Sequence, residues 1–134
     1  MDRRLMAHQP AESVNWHPAG FDHFTGDVWF GLMHAAADAD GVSVLGVSFA
    51  PGARSDWHSH PGGQVLYVVA GVARVHAEGG TTVTAGPGDT VHAKPGEVHW
   101  HGAAPDSPMV HLSITAGGDT EWLPRKVSDK EYGA

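Results

Sequence analysis

The stretch Gly52-Ala-Arg-Ser-Asp-Trp-His58-Ser-His60-Pro-Gly-Gly-Gln64 decides both the fold and the site of this chain. Its two histidines stand one residue apart, its glutamine follows four residues after the second, and the apolar run Val65 to Val69 comes next. Because side chains alternate between the two faces of an extended chain, His58 and His60 point the same way, and Gln64 can rejoin that face. The stretch therefore predicts a metal site at the start of a strand.

A second segment supplies a further imidazole. Between Gly88 and His99 a β-favouring run leads into the turn Pro95-Gly96, and His99 follows that turn. Three imidazoles and one side-chain oxygen suit a divalent transition-metal ion with open coordination positions. We therefore expect the metal ligands to be His58, His60, Gln64 and His99.

Glycine and proline divide the chain into short segments. The 18 glycines and 9 prolines are spread along the sequence and do not gather in one linker. Short apolar runs between such residues indicate an antiparallel sandwich or barrel, with low helix content and one helical turn over Ser128 to Tyr132. The predicted strands are Val28 to Met33, Val42 to Phe49, Val65 to Val69, Val72 to Ala77, Thr81 to Thr84, Thr90 to Ala93 and Met109 to Thr115.

The length of the chain, 134 residues, fits one domain. Residues 1–20 are polar and contain two prolines, so we expect an N-terminal arm that lies over the barrel or over a neighbouring subunit. Residues 21–134 are expected to form the barrel. Exposed strand edges together with this arm favour self-association, and a homodimer or homotetramer is expected.

Composition narrows the classes of partner. Eight basic and fifteen acidic residues give a formal charge of −7, and basic residues cluster only at Arg3-Arg4, so neither nucleic acid nor an anionic membrane is expected to bind. The absence of cysteine excludes disulfides, thiolate metal ligands and a cysteine nucleophile. Because the N-terminus lacks the apolar core of a signal peptide, we expect a cytoplasmic protein that acts on a small-molecule substrate.

The two motifs resemble those of the cupin family. The matching positions of the first cupin motif are Gly52, His58, His60, Gln64 and Gly71, and those of the second are Gly88, Gly96 and His99. The resemblance implies an all-β fold, the double-stranded β-helix or jelly-roll barrel of a single-domain cupin. The chain departs from the general pattern at Gln64, where an acidic ligand is usual, at Lys94, where proline is usual, and at Ala103, where asparagine is usual.

Within the cupins, residues 45–132 look like the small bacterial manganese-dependent proteins with hydroxynitrile lyase activity. The likeness rests on the strings Trp57 to Gln64, Pro95 to Pro105, Met109 to Leu112 and Val127 to Tyr132, and that group shares the glutamine. It implies Mn²⁺ as the ion and the opening of a small cyanohydrin, such as mandelonitrile, into an aldehyde and hydrogen cyanide. The residue types alone equally accept Fe²⁺, Ni²⁺, Co²⁺ or Zn²⁺.

His111 is the candidate catalytic residue. In an extended chain it shares a face with Ser113 and Thr115, opposite Leu112 and Ile114. If that face lines the cavity, His111 overlooks the ion, where an imidazole can act as a general base or as a structural hydrogen-bonding group. The resemblance assigns the catalytic role to the same residue.

Other residues flank the predicted ligands. His101 is in phase with His99, which is compatible with a hydrogen-bonding role beside the ligands and equally with a surface or packing role. Trp57 and Trp100 adjoin the ligands in sequence and are expected to hold the imidazoles in place. The apolar wall of the cavity is expected to come from Val44, Leu45 or Val47.

Two other functions stay open at this point. The same ion, as iron(II) or manganese(II), could bind a diketone or enol together with dioxygen, although a glutamine cannot serve as the base that some such enzymes require. The chain could instead bind a small molecule without catalysis. The substitution His111→Phe separates the two classes, because a binding protein does not need a titratable group beside the ion.

Overall fold

The computed structural model describes residues 6–133, so residues 1–5 of the predicted arm and Ala134 of the predicted barrel lie outside the described residues. A short 3₁₀ helix spans Ala11–Ser13 and the helix α1 spans Asp129–Tyr132, so no helix in the described range is long and apolar enough to cross a membrane. The strands are β1 (Trp16–Pro18), β2 (Phe24–Thr25), β3 (Val28–His34), β4 (Val42–Phe49), β5 (Arg54–Ser55), β6 (His58–Ser59), β7 (Gln64–Gly71), β8 (Ala73–Ala77), β9 (Thr82–Ala85), β10 (Thr90–Ala93), β11 (His99–Ala103), β12 (Met109–Ala116) and β13 (Glu121–Trp122).

The strands form two antiparallel sheets. One has the order β1-β3-β4-β12-β7-β10, and the other has the order β13-β6-β11-β5-β2, with β8 also paired to β11 and β9 paired to β8. The inward side chains of the two sheets form the main core, whose largest buried members include Phe49 and Met109. The all-β sandwich predicted from the turn pattern is confirmed.

All seven predicted strands are present, with ends shifted by at most two residues. The predicted helical turn is also present as α1, where Ser128 and Glu131 form a capping box. Sequence reasoning missed β11, because His-Trp-His-Gly-Ala contains no run of apolar β-favouring residues. All five of its residues are nevertheless buried.

Strand β11 places the second motif beside the first. On one edge it pairs with β8, and on the other edge His99 stands directly opposite His58 in β6. Because successive side chains of a strand point to opposite faces, those of His99 and His101 point into the barrel and that of Trp100 points away from it. His101 is therefore buried inside the barrel, which excludes the surface role that its phase with His99 had left open.

The expectation that Trp57 and Trp100 hold the ligand imidazoles is wrong. Each is a sequence neighbour of a ligand, so it faces away from the site, and both pack with Val127 and Tyr132 in a second core cluster. The indole that does contact a ligand is that of Trp122, whose ring centroid lies 4.7 Å from that of His58.

The described part of the arm lies against its own barrel. Strand β1 pairs with β3, and the indole of Trp16 covers Gly31 and Gly46, because a Cβ on either glycine would meet that ring. Contact between the arm and a neighbouring subunit stays a prediction.

The last residue of β7, Gly71, has to be a glycine because the backbone at Pro108 passes close to it. Its φ is +77°, and an added Cβ would overlap the carbonyl oxygen of Pro108. Gly79 has almost the same φ, +78°, but has open space around it. We expect Gly71→Ala to lower the free energy of unfolding by about 2 kcal/mol more than Gly79→Ala, since only the first adds a steric overlap to the left-handed strain. Urea unfolding measures both losses, and equal losses would contradict the close approach.

Candidate metal centre

Three imidazoles converge where strand β6 pairs with strand β11. One ring nitrogen from each of His58, His60 and His99 can be chosen so that all three atoms lie within 4.8 Å of one another. All three side chains are buried. The hydrogen-bond register between β6 and β11 sets this geometry, because it places two of the ligands directly across from each other.

Backbone carbonyls orient two of the three rings. The Nδ1 of His58 lies 2.8 Å from the carbonyl oxygen of Asp56, and the Nδ1 of His99 lies 2.9 Å from that of Glu97. Because a carbonyl oxygen only accepts, each Nδ1 carries the hydrogen, and each Nε2 keeps its lone pair for the site. Hydrogen bonds of this kind are the usual way in which proteins orient metal-binding histidines.

His60 has a buried nitrogen without a partner. Its Nδ1 lies 3.4 Å from the hydroxyl oxygen of Thr120, and its Nε2 has no hydrogen-bond partner among residues 6–133. A buried polar atom that makes no hydrogen bond costs free energy. A metal ion bound at Nε2 would remove that cost, so the environment of His60 fits a metal ligand.

Gln64 presents its oxygen to the same point. Its amide nitrogen donates to the hydroxyl of Thr115 at 3.0 Å, across the pair of strands β7 and β12. Its Oε1 therefore faces His99, 3.4 Å from Nε2 of that ring. The structure thus brings the four predicted ligands together, and three neutral imidazoles with one amide oxygen form a donor set that fits a divalent transition-metal ion.

Burial keeps the imidazoles neutral. Loss of hydration on burial, with a smaller contribution from His99, lowers the pKa of His60 to about 4. Burial, with His99 again nearby, also holds the pKa of His58 well below its usual value, and burial lowers the pKa of His99. Only a neutral imidazole can bind a metal ion, so the site is prepared for one near neutral pH.

The same burial makes the metal-free protein sensitive to acid. In the unfolded chain a histidine has a pKa near 6.5, whereas in the folded chain burial lowers the pKa of His60 to about 4 and that of His111 to about 3. Between these values the unfolded state binds protons that the folded state does not, so acidification favours unfolding. We expect the midpoint temperature of thermal unfolding of the metal-free protein to decrease as the pH is lowered from about 7 to about 4. A midpoint that stays level or rises over this range would contradict neutral, buried imidazoles.

The hydroxyl of Thr115 pairs with one end of the Gln64 amide and so holds the other end toward the site. We expect Thr115→Val to weaken metal binding about 10- to 100-fold, because the amide loses the partner that orients its oxygen. Thr115→Ser keeps the hydroxyl and should retain the affinity. Competition with a chelator measures both values, and equal affinities of the two variants would show that the hydrogen bond does not orient the ligand.

A cavity of about 270 Å³, called here the inner cavity, opens beside these ligands. Leu45 and Val47 lie on its wall, as expected, whereas Val44 does not. Sequence reasoning missed its aromatic side, which Phe24 and Trp122 provide with rings that meet edge to face, 5.7 Å apart. These two residues come from short strands at opposite ends of the chain, and no local pattern links them.

His101 and His111 form a hydrogen-bonded pair in the interior. Nε2 of His111 lies 3.0 Å from Nδ1 of His101, and Nδ1 of His111 lies 3.4 Å from the hydroxyl of Ser113. His101 lines the inner cavity, whereas His111 is not on its wall and lies behind His101. The catalytic role of His111 stays a prediction, and its ring contacts two residues of the cavity wall, His101 and Ser113.

Burial also lowers the pKa of both members of the pair. Loss of hydration lowers the pKa of His111 to about 3, and burial with the nearby His111 holds the pKa of His101 well below its usual value. Both rings are therefore neutral near pH 7. An imidazolium formed here would be a stronger acid than one in water.

Comparison with known proteins places this chain in a family. The cupin domain family matches residues 46–115. An (R)-mandelonitrile lyase from Granulicella tundricola is 44% identical over 114 residues, which cover 83% of this chain and 86% of that protein. The crystal structure of a cupin-like protein from Thermotoga maritima has a TM-score of 0.79 and 40% identity, and the match covers 86% of this chain and 89% of that one.

More distant structures share the fold alone. The polyketide cyclase RemF from Streptomyces resistomycificus has a TM-score of 0.69 at 18% identity, and the match covers 96% of this chain and 91% of that one. The family match over more than half of the chain, the level of identity and the two-sheet barrel agree with the motifs in the sequence. The chain is a small single-domain protein with the jelly-roll fold, and it belongs to the cupin family.

Proposed function

We propose that this cupin is a metal-dependent hydroxynitrile lyase that cleaves small cyanohydrins, such as mandelonitrile, into an aldehyde and hydrogen cyanide. The observation that carries the proposal is the pairing of a neutral ligand set with a buried histidine pair. Gln64 completes the ligands without adding charge, and His101 with His111 stands beside them. The similarity to an (R)-mandelonitrile lyase supports the same chemistry.

The ligands would hold a divalent ion, which we propose to be Mn²⁺, at Nε2 of His58, His60 and His99 and at Oε1 of Gln64. When bound, such an ion polarises the hydroxyl group of a cyanohydrin and lowers its pKa. A carboxylate in place of Gln64 would cancel one unit of the charge of the ion, whereas the amide leaves it undiminished. The amide therefore favours Lewis-acid chemistry on a hydroxyl group.

His101 is positioned to accept the hydroxyl proton. Its Nδ1 is paired with His111, so its Nε2 is the ring nitrogen left for the substrate in the inner cavity. As the proton leaves, the O–H electron pair forms the C=O bond, and the C–C electron pair departs with cyanide. The Nδ1–H of His101 would then donate to Nε2 of His111, which stabilises the imidazolium. His111 acts in this scheme by orienting His101 and stabilising its charged form.

The low pKa of this pair suits the second proton transfer, in which the imidazolium protonates the departing cyanide. Cyanide is a stronger base than imidazole, and an imidazolium whose pKa is lowered by burial gives up its proton readily. The departing cyanide can therefore leave as neutral hydrogen cyanide. The same low pKa makes the neutral ring a weak base, which is why the hydroxyl group must first be acidified.

The walls of the inner cavity suit the rest of a small cyanohydrin. Leu45 and Val47 form an aliphatic side, and Phe24 and Trp122 form an aromatic side. Such surfaces bind aryl or alkyl groups by apolar burial and edge-to-face contact. The volume of about 270 Å³ suits one aromatic ring with its substituents.

Synthesis of mandelonitrile from benzaldehyde and cyanide tests the proposal, because the uncatalysed addition gives a racemic product. The protein is stripped of metal, one portion is reloaded with Mn²⁺, and the enantiomeric excess is compared with that of the stripped portion. We expect an enantiomerically enriched product only after reloading. A racemic product at the background rate, with the metal confirmed as bound, would contradict the proposal and favour oxygen-dependent chemistry or ligand binding without catalysis.

A further inference from the structure

A second cavity adjoins the inner one. It has a volume of about 340 Å³ and shares four lining residues with the inner cavity, so the two cavities are next to each other. We call it the outer cavity. The shared residues are Ser43, Thr115, Gly118 and Asp119, and the outer cavity is otherwise lined by Ala36, Asp38, Ala39 and Gly41.

The two cavities differ in chemistry. The inner one has the aliphatic and aromatic walls already described, whereas the outer one has no aromatic or large aliphatic side chain. Two acidic side chains, Asp38 and Asp119, line the outer cavity, and neither lining contains a lysine or an arginine. A substrate that fills both cavities therefore meets an apolar environment near its reacting end and an acidic one at its far end.

The hydroxyl groups at the boundary between the cavities are already engaged as acceptors. The Oγ of Ser43 accepts from the N–H of Ala36, and the Oγ1 of Thr115 accepts from the amide of Gln64. Asp38 accepts from the N–H of Asp40. Asp119 lines both cavities, so its carboxylate can meet a ligand that passes from one to the other.

We propose that the outer cavity is a subsite for the far end of the substrate, and that it selects cationic or hydrogen-bond-donating substituents, with Asp119 as the specificity-determining residue. The proposal rests on the proposed function in one respect, namely that the reacting end of the substrate lies at His58, His60 and Gln64. It names a substrate class, which is an aryl compound with a hydroxyl-bearing carbon at one end and an ammonium or donor group at the other.

The size of the effect follows from the exposure of the carboxylate. A single pairing between partly solvated charges stabilises a complex by a modest amount, so we expect a preference of about fivefold for the cation. Because salt screens such a pair, the preference should shrink as ionic strength rises.

A matched pair of unreactive ligands tests the subsite by binding alone. Both are benzyl alcohols, one with a 4-trimethylammoniomethyl group and one with a 4-neopentyl group of the same shape and no charge. Neither substituent can bind the metal. Calorimetry on the Mn²⁺-loaded protein gives the ratio of their dissociation constants in the unaltered chain, in Asp119→Asn and in Asp106→Asn, whose exposed carboxylate lines neither cavity.

We expect Asp119→Asn to shift the ratio about fivefold against the cation, and Asp106→Asn to leave it unchanged. The same ratio in all three proteins, an equal shift in both variants, or no binding of either ligand would overturn the proposal. The lyase assignment is tested separately by mandelonitrile turnover. Charge-dependent binding without turnover would keep the subsite and discard the lyase, and turnover without charge dependence would do the reverse.

Discussion

Replacement of His111 by phenylalanine is expected to lower kcat for mandelonitrile cleavage about 10²- to 10⁴-fold, the usual contribution of acid–base groups. The buried ring of His111 is hydrogen-bonded to His101, the histidine on the cavity wall, and phenylalanine keeps the volume but removes the acceptor. His101 would then lose the partner that stabilises its imidazolium. Initial rates at saturating substrate measure the effect, with bound metal quantified for each protein.

Two comparisons separate this role from a general loss of structure. His101→Phe should cost about as much, and the double variant should cost little more than either, because the two residues act as one unit. His92→Phe, at an exposed position on β10, should retain the activity. His111→Gln serves as a second variant if phenylalanine impairs folding. If both His111 variants kept full kcat with the metal bound, His111 would have no role in supporting His101 during cleavage.

Replacement of His60 by alanine should reduce metal content from one ion per chain to almost none and cleavage to the uncatalysed rate. Its Nε2 is a buried nitrogen at the site that lacks a partner among the described residues, so the metal is the group it is positioned to bind. Loss of one of four donors also opens the site to water. Metal analysis after dialysis, together with initial rates, measures both effects.

Gln64→Glu is the matched control for this loss. The carboxylate should keep the metal bound, because the side chain has the same shape and an added negative charge. It should also reduce cleavage, because the charge at the ion falls by one unit. An active His60→Ala protein without metal, or a Gln64→Glu protein that cleaves as fast as the unaltered chain, would contradict the assigned ligand set and its charge.

Much of the fold follows from short-range pattern. The strands Val42–Phe49 and Thr90–Ala93 have the predicted bounds, because apolar β-favouring runs end at turn residues there. β11 was missed because it contains no run of apolar β-favouring residues, although all five of its residues are buried. The strands β2 and β13 have two residues each, which is too few for an alternating pattern to be recognised.

The site was predictable to the extent that it is local. His58, His60 and Gln64 belong to one motif, and His99 follows a turn that the sequence marks clearly, so the structure gathers all four. The relation between His101 and His111 was not predictable, because it depends on which of two interior side chains lies nearer the cavity.

Packing between the sheets settles that relation, and also the roles of several residues remote in sequence. Trp122 lies against His58 because β13 pairs with β6, which no local pattern reveals. Thr115 orients Gln64 because β12 pairs with β7. These contacts join segments about 50 residues or more apart in sequence, where period and spacing carry no information.

Metal-dependent cleavage is tested most directly by cyanide release from racemic mandelonitrile during a titration of the metal-stripped protein with Mn²⁺. We expect a rate that is at background without metal, rises in proportion to bound Mn²⁺ and levels off at one ion per chain. A rate that is already full in the stripped protein, or one that stays at background with one Mn²⁺ bound per chain, would contradict it.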